Sequence, residues 1–328
     1  MDLVEVEVRP RSPFRLPRLT GGDRLIQKHG SGFERLLVTD GAATVVTAQS
    51  SGTGRYLFTA EAIGPERLSG PGATDLREAG EADLLGAVER LRFATGIDLD
   101  LNPMRELFGK DPLLGPAITG PSPGRPHRRP YPWEALLWAI TEQLIEYRRA
   151  AAIQRTMIRR WGMRLDDSGP SARGYRDMLF TVPTPASIAG ASPAELEGCG
   201  LGARRSIAMI KVAREVATGR TDLDDQSFDR RLLAIPEIGP WTIACLALRG
   251  RGDPDALLAG DLSQVKLVGY LDGLGRIAEV EEVEAFYEKY APYRGLAGEY
   301  LVSAQGRPVH GPGTTARIRM RQNIKRAA

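Results

Sequence analysis

The beginning of the chain alternates apolar and polar residues at the period of a β-strand. In Leu3–Val8 apolar and acidic side chains alternate one by one, which predicts a half-buried strand. Two runs rich in β-branched residues, 35–39 and 43–47, flank Asp40-Gly41, a pair that tolerates positive φ in a tight hairpin turn. A further strand is predicted at 55–59, so this region is expected to form a small antiparallel sheet.

Apolar positions then change to helical spacing. Leu84, Leu85, Val88 and Leu91 mark an amphipathic helix that we expect on one face of the sheet. After a proline-rich connector, one long helix is predicted from 133 to 161. A capping box, Ser192-Pro193-Ala194-Glu195, begins another helix, and residues 203–218 form the next.

These patterns predict an α+β fold. A small N-terminal antiparallel β-sheet domain with a helix, residues 1–96, would be followed by an all-α domain, residues 97–306. Residues 307–328 contain six Arg or Lys and no Asp or Glu, which is typical of a flexible basic tail.

Composition narrows the classes of function. The chain has 328 residues and contains no run of 18 apolar residues, so no membrane span is predicted. Its first residues lack the basic and then apolar stretch of a signal peptide, so none is expected. Two cysteines exclude four-thiolate zinc or iron–sulfur sites, and the three histidines lie far apart. We therefore expect a cytoplasmic protein, nucleoid-associated if bacterial. The net charge of +3 permits a nucleic-acid partner without requiring one.

Candidate chemistry is concentrated in residues 232–244, where an apolar helix end, a Pro-Glu-Ile-Gly turn and an apolar helix start follow one another. So tight a turn leaves backbone N–H groups unpaired at the start of the second helix. Together with the helix dipole, these groups can bind an anion such as a DNA phosphate. The same pattern fits a helix–turn–helix corner without a ligand, and the residues alone leave both interpretations open.

Three further features occur around this turn in a fixed order. Thr141-Glu142-Gln143-Leu144-Ile145 and Gly200-Leu201-Gly202-Ala203-Arg204-Arg205 precede the turn, and Asp261 lies 20 residues beyond Trp241. This order resembles the helix-hairpin-helix superfamily of DNA base-excision glycosylases, over the region from Asp98 to Tyr300. With its β-rich N-terminal part, the chain is similar to the bacterial 3-methyladenine-DNA glycosylase II branch. The resemblance implies two helical subdomains with an active-site cleft between them.

The resemblance implies that Asp261 is the catalytic carboxylate. Cleavage of an N-glycosidic bond develops oxocarbenium character on the sugar, which a nearby anion stabilises. Asp261 also suits a helix N-cap, and the two roles can coexist. Trp241, Cys245 and Leu262 would line the base pocket, where an indole face attracts a cationic base. A core position is the other interpretation of Trp241.

The resemblance also implies how DNA would be held. Gln143 and Leu144 match the wedge that fills the hole left by an extruded base, although the helix could equally hold Leu144 in the core. Phosphate contacts would come from Gly239, Thr242, Arg204 and Arg205. No cofactor is required, and a monovalent cation could bind the backbone carbonyls of Leu233, Ile235 and Ile238.

The expected activity is that of a monofunctional DNA glycosylase, which flips a damaged, alkylated base from duplex DNA and hydrolyses its N-glycosidic bond. Bifunctional relatives carry a lysine nucleophile at the position of Trp241, and an indole cannot form a Schiff base. Glu237 replaces the usual hairpin glycine, and Glu146 adds a second acid, which favours a non-catalytic damaged-DNA-binding relative as the alternative. A protein-interaction module is a third interpretation. We expect a monomer.

Overall fold

A five-stranded antiparallel sheet forms the N-terminal part of the protein. The computed structural model describes residues 3–17, 25–120, 123–166 and 179–304. The strands are ordered β1-β5-β4-β3-β2. Asp40 and Gly41 have φ of 48° and 78°, so the predicted two-residue hairpin turn between β3 and β4 is confirmed. The strands are β1 (Leu3–Val8), β2 (Ile26–His29), β3 (Gly32–Thr39), β4 (Ala42–Gly52) and β5 (Arg55–Ile63).

Helices make up most of the remaining described residues, and the predicted α+β class is confirmed. A short strand pair, β6 (Leu68–Ser69) and β7 (Arg164–Leu165), ties the two parts together. The helices are α1 (Glu81–Thr95), α2 (Asn102–Phe108), α3 (Gly115–Ile118), α4 (Pro132–Glu142), α5 (Tyr147–Trp161), α6 (Pro185–Ala189), α7 (Pro193–Gly198), α8 (Ala203–Ala217), α9 (Asp229–Leu233), α10 (Pro240–Cys245), α11 (Leu262–Leu271), α12 (Val280–Tyr287) and α13 (Arg294–Ala304), and a π-helical stretch, Leu246–Arg251, continues α10.

The single helix predicted from 133 to 161 is wrong, because the structure divides it into α4 and α5. The chain leaves the helix at Gln143, where ψ is 122°, and Leu144 takes a positive φ of 53°. Helix resumes after Glu146, which is the N-cap of α5. The apolar spacing continues through the break, and no glycine or proline marks it. We call residues 143–146 the α4–α5 loop.

Both faces of the sheet are covered. Adjacent residues Leu36 and Leu37 face opposite sides, as the alternation along a strand requires. Leu37 lies in a buried cluster with Leu84 and Val88 of α1. Leu36 lies in another, with Met163 and Leu165 among other residues, so a segment from the helical part covers that face.

The helical part contains two buried apolar clusters that meet along α4, which supplies Leu136 to one and Ala139 to the other. Leu25, next to β2, joins the first cluster, and the buried pair Arg35–Glu134 links β3 to α4 at 2.5 Å. The sheet and the helices are therefore packed as one body. The domain boundaries at 96 and 306 stay predictions, and the basic tail at 307–328 lies outside the described residues. Within the described ranges no helix is long and apolar enough to cross a membrane.

Candidate active site

The predicted hairpin is present between α9 and α10. Its turn is closed by backbone hydrogen bonds from Ile235 N–H to the Leu232 carbonyl, 2.9 Å, and from Ile238 N–H to the Ile235 carbonyl, 3.0 Å. Gly239 is the N-cap of α10 and Pro240 its first residue, a combination that begins a helix sharply. Glu237 takes a φ of 73°, in the left-handed region that favours glycine.

The residues expected at DNA phosphates have different environments. Gly239 is half-exposed, and the Arg204 side chain is 88% exposed with its Nη1 3.9 Å from Glu237 Oε1. Thr242 is 1% exposed, and its hydroxyl accepts a hydrogen bond from Gln143 Nε2 at 2.9 Å. The Thr242 hydroxyl is therefore engaged inside the protein, and the phosphate contacts expected from Gly239, Thr242 and Arg204 stay predictions. Arg205 Nη1 donates to the Gln143 carbonyl at 2.8 Å.

The carbonyls of Leu233, Ile235 and Ile238 border the same turn. The Ile235 oxygen already accepts the Ile238 N–H, although a carbonyl has a second lone pair. The cation site at these three carbonyls stays a prediction.

Leu144 projects fully into solvent from the α4–α5 loop, with a relative exposure of 104%. The interpretation of Leu144 as a core residue is therefore wrong. Gln143 beside it turns inward: its Nε2 donates to the Glu237 carbonyl at 2.8 Å as well as to Thr242. Gln143 thus contacts the hairpin, and Leu144 alone of this pair protrudes.

The three residues expected in the base pocket also differ in their exposure to solvent. Trp241 is half-buried against the second helical cluster, and its indole Nε1–H is buried without a hydrogen-bond partner among the described residues. Cys245, one turn further along α10, is completely buried in the core instead of facing an open pocket. Leu262 is 60% exposed at the start of α11.

Asp261 is half-exposed and is the N-cap of α11. Its Oδ1 accepts hydrogen bonds from the backbone N–H of Ser263 at 2.8 Å and from the Ser263 hydroxyl at 2.5 Å. The capping interpretation is therefore confirmed. Both of these bonds use the same oxygen, so the capping role leaves Oδ2 available for a second role.

Three charged residues that the sequence analysis did not single out lie beside Cys245. Arg249 Nη1 donates to Glu142 Oε2 at 3.1 Å, and its Nη2 lies 3.6 Å from Glu299 Oε1. The pKa of the Cys245 thiol is raised to about 12, mainly because the thiol is buried; the charge of Arg249 opposes this rise, and the carboxylates of Glu142, Asp261 and Glu299 contribute to it. Ala259 and Val265, on either side of Asp261, lie in the same buried cluster as Cys245, so the start of α11 packs close to the helix that begins at the hairpin.

Only a weak signal for this group of charged residues is present along the chain. Glu142 directly precedes Gln143 and could have been singled out by that position. Arg249 and Glu299 lie 107 and 157 residues further along the chain and meet Glu142 only through tertiary packing.

The overall arrangement defines a class of protein. A solved 3-methyladenine DNA-glycosylase from Archaeoglobus fulgidus matches with a TM-score of 0.70, at 19% identity, over 92% of this chain and 98% of that one. An 8-oxoguanine glycosylase/lyase from Clostridium acetobutylicum matches with a TM-score of 0.59, at 15% identity, over 85% and 97% of the two chains. The chain therefore has the fold of the helix-hairpin-helix DNA glycosylases.

Sequence relatives point to one branch of that class. A probable bifunctional transcriptional activator/DNA repair enzyme AlkA of Mycobacterium tuberculosis is 27% identical over 70% of this chain. DNA-3-methyladenine glycosylase 2 of Escherichia coli is 27% identical over 51% of it. The chain spans 44% and 56% of the lengths of these two relatives. No protein-family model matches. The resemblance to the DNA-3-methyladenine glycosylase II branch is confirmed.

Proposed function

We propose that the protein is a monofunctional DNA glycosylase that extrudes an alkylated base from duplex DNA and hydrolyses its N-glycosidic bond. The observation that carries the proposal is the placement of Asp261: the residue is half-exposed at the start of α11, which packs in the same buried cluster as Cys245 of α10, the helix that begins at the hairpin. A hairpin that holds a phosphate would bring the adjoining sugar towards this carboxylate.

The reaction needs a base outside the helical stack, since a stacked base is inaccessible. Leu144 is suited to fill the vacated space, because it is exposed and apolar. As the bond between C1′ and the base nitrogen breaks, the electron pair leaves with the base. Asp261 stabilises the positive charge that develops on the sugar. Water adds its oxygen to C1′ and yields a proton, leaving an abasic site and the free base.

The charge beside α10 and at the start of α11 favours a cationic base. Glu142 and Glu299 share the single guanidinium of Arg249, and Asp261 adds a third carboxylate, a net charge of −2 when all are ionised. Trp241 adds an indole that attracts cations through its face. N-alkylated purines such as 3-methyladenine carry positive charge, so we expect release of methylated purines to exceed release of neutral hypoxanthine. Comparing base release from matched duplexes with the two kinds of lesion would measure this preference.

Strand cleavage is not expected. Bifunctional enzymes of this fold use a lysine amine as the nucleophile, and Trp241 occupies the matching position in this chain. The abasic product should remain unnicked on a denaturing gel until alkali is added. A borohydride-trapped protein–DNA adduct would contradict this part of the proposal.

Substitutions at Asp261 separate its two roles. Asn caps a helix about as well as Asp, so Asp261→Asn should leave the unfolding midpoint nearly unchanged. Base release should fall about 100-fold or more, because the charge that stabilises the transition state is lost. Asp261→Ala should lose about 1 kcal/mol of stability in addition. Undiminished release by the Asn variant would overturn the catalytic assignment.

One observation favours a different function. The Glu237 carboxylate lies on the hairpin and near Arg204, where it would repel a DNA phosphate. A non-catalytic damaged-DNA-binding protein could tolerate weaker phosphate contacts. That function would be supported if the wild-type protein released no base and Asp261→Asn still bound methylated duplex in preference to unmodified duplex.

A further inference from the structure

Hydrogen bonds from two side chains join the α4–α5 loop to the hairpin and to α8. Gln143 Nε2 donates to the Glu237 carbonyl and to the Thr242 hydroxyl, at 2.8 and 2.9 Å. Arg205 Nη1 donates to the backbone carbonyl of Gln143 at 2.8 Å. Gln143 is thus held on both sides, by its side chain and by its main chain.

Two residues in unfavourable backbone conformations adjoin these bonds. Leu144, the next residue after Gln143, has a φ of 53°, and Glu237, whose carbonyl Gln143 binds, has a φ of 73°. Residues other than glycine remain in this region only where the surrounding contacts impose it. The bonds of Gln143 and Arg205 adjoin both residues and are contacts of this kind.

Arg204 and Arg205 are adjacent but differ in their contacts. The Arg204 side chain is 88% exposed and can meet a phosphate. Arg205 is half-buried, and one of its N–H groups is occupied by the Gln143 carbonyl. The two arginines therefore suit two different tasks.

We propose that Gln143 and Arg205 are positioning residues that couple the hairpin to Leu144, so that a hairpin bound to DNA presents Leu144 in the orientation that extrudes a base. This inference rests on the proposed function for the role of Leu144 in DNA. It assigns Gln143 to the protein side of the interface, in place of the DNA wedge, and Arg205 to the loop, in place of a phosphate.

Base extrusion can be followed without base cleavage. A duplex with 2-aminopurine at the target position becomes more fluorescent when that base leaves the stack. The full-length protein is titrated to saturation, and affinity is measured separately by anisotropy. Single-turnover release from methylated duplex is measured in parallel, and thermal unfolding shows that each variant is folded.

Gln143→Ala and Arg205→Ala are expected to bind the duplex within about threefold of the wild type, because most of the affinity comes from other backbone contacts. The increase in fluorescence on saturation with protein and the single-turnover rate of base release should each fall about tenfold. Arg205→Lys keeps one donor and should recover part of both losses. Arg159→Ala, an exposed arginine on α5, controls for the loss of a positive charge.

The outcomes distinguish this inference from the proposed function. If the wild-type protein raises the 2-aminopurine fluorescence but releases no base, catalysis is contradicted. The coupling is then still supported if the two variants lower that fluorescence. If Gln143→Ala releases the base at the wild-type rate and gives the wild-type fluorescence at saturation, the coupling is overturned. A loss of affinity that accounts for the whole loss of rate would overturn it as well. If Gln143→Ala is unfolded, Gln143→Asn replaces it, since the shorter amide cannot span to the hairpin.

Discussion

At the scale of single residues, Glu237 occupies a backbone conformation that glycine adopts at lower cost. Its φ of 73° lies in the left-handed region, where a residue with a Cβ loses about 1–2 kcal/mol. Glu237→Gly should therefore raise the free energy of unfolding by about 1 kcal/mol, less the flexibility that glycine adds to the unfolded chain. Urea denaturation would measure the change.

The same substitution removes a negative charge from the proposed phosphate site. Glu237→Gly should bind duplex DNA more tightly at low salt, because repulsion between Glu237 and the phosphate is removed. Glu237→Ala removes the charge but keeps the Cβ, so it should share the gain in affinity without the gain in stability. Equal stability of the Gly and Ala variants would show that the hairpin relaxes without strain.

Residue types, spacing and the family resemblance singled out Asp261 and Trp241, whose roles stay predictions, because both lie in one short stretch of sequence that begins in the hairpin. They were not sufficient to place Thr242, whose burial depends on Gln143 in a loop 99 residues earlier. They also missed Arg249, whose role depends on carboxylates from two other helices. Side chains that act together through tertiary contacts leave little local signal.

At the scale of secondary-structure elements, a substitution in the α4–α5 loop should lower base release without changing the stability of the fold. Leu144 contributes no burial, so Leu144→Ala should leave the urea midpoint unchanged within error. Base release should fall about tenfold or more if the side chain occupies the space of the extruded base. Leu85→Ala, a partly exposed leucine on α1, serves as the control. An unfolding midpoint that drops with Leu144→Ala would mean that the loop packs differently in solution.

Helix α1 carries a pH-dependent contribution to stability. Hydrogen bonds from Arg77 and from the Gly80 backbone lower the pKa of Asp83 from 3.8 to about 2. The ionised carboxylate therefore stabilises the folded state above pH 4, and this contribution is lost as the pH falls towards 2. Asp83→Asn should be less stable than the wild type at pH 7. Its stability should also change less between pH 4 and pH 2, which urea titrations at several pH values would show.

The elements themselves were largely predictable. Alternation identified β1, and β-branched runs and a turn signal identified β3 and β4, whereas β2 was not predicted. The capping box of α7 was confirmed by reciprocal hydrogen bonds between Ser192 and Glu195. The break between α4 and α5 was not predictable from the sequence, because the contacts that accompany it, with Arg205 and the hairpin, come from distant parts of the chain. Local propensity favours a helix there, and tertiary context can override such a propensity.

At the scale of the whole molecule, a buried ion pair holds the sheet against the helices. Arg35 and Glu134 are 4% and 0% exposed, and Arg129 lies 3.5 Å from the same carboxylate. Glu134→Gln would leave a buried guanidinium without its counter-charge, so we expect a loss of about 3–5 kcal/mol of stability. Glu7→Gln, which removes the exposed pair with Arg55, should cost less than about 1 kcal/mol. Similar unfolding free energies for the two variants would contradict this account.

One face of the sheet, which carries Leu36, is buried by a segment from the helical part, and this has a consequence for synthesis of the chain. Leu36 and Val45 emerge from the ribosome long before Met163, Leu165 and Leu179, which bury them. At translation rates of about 5–20 residues per second, an apolar face of the nascent sheet stays open to water for roughly 5–25 s. Chaperone binding during this interval, and poor yields of the N-terminal segment made alone, are the expected results.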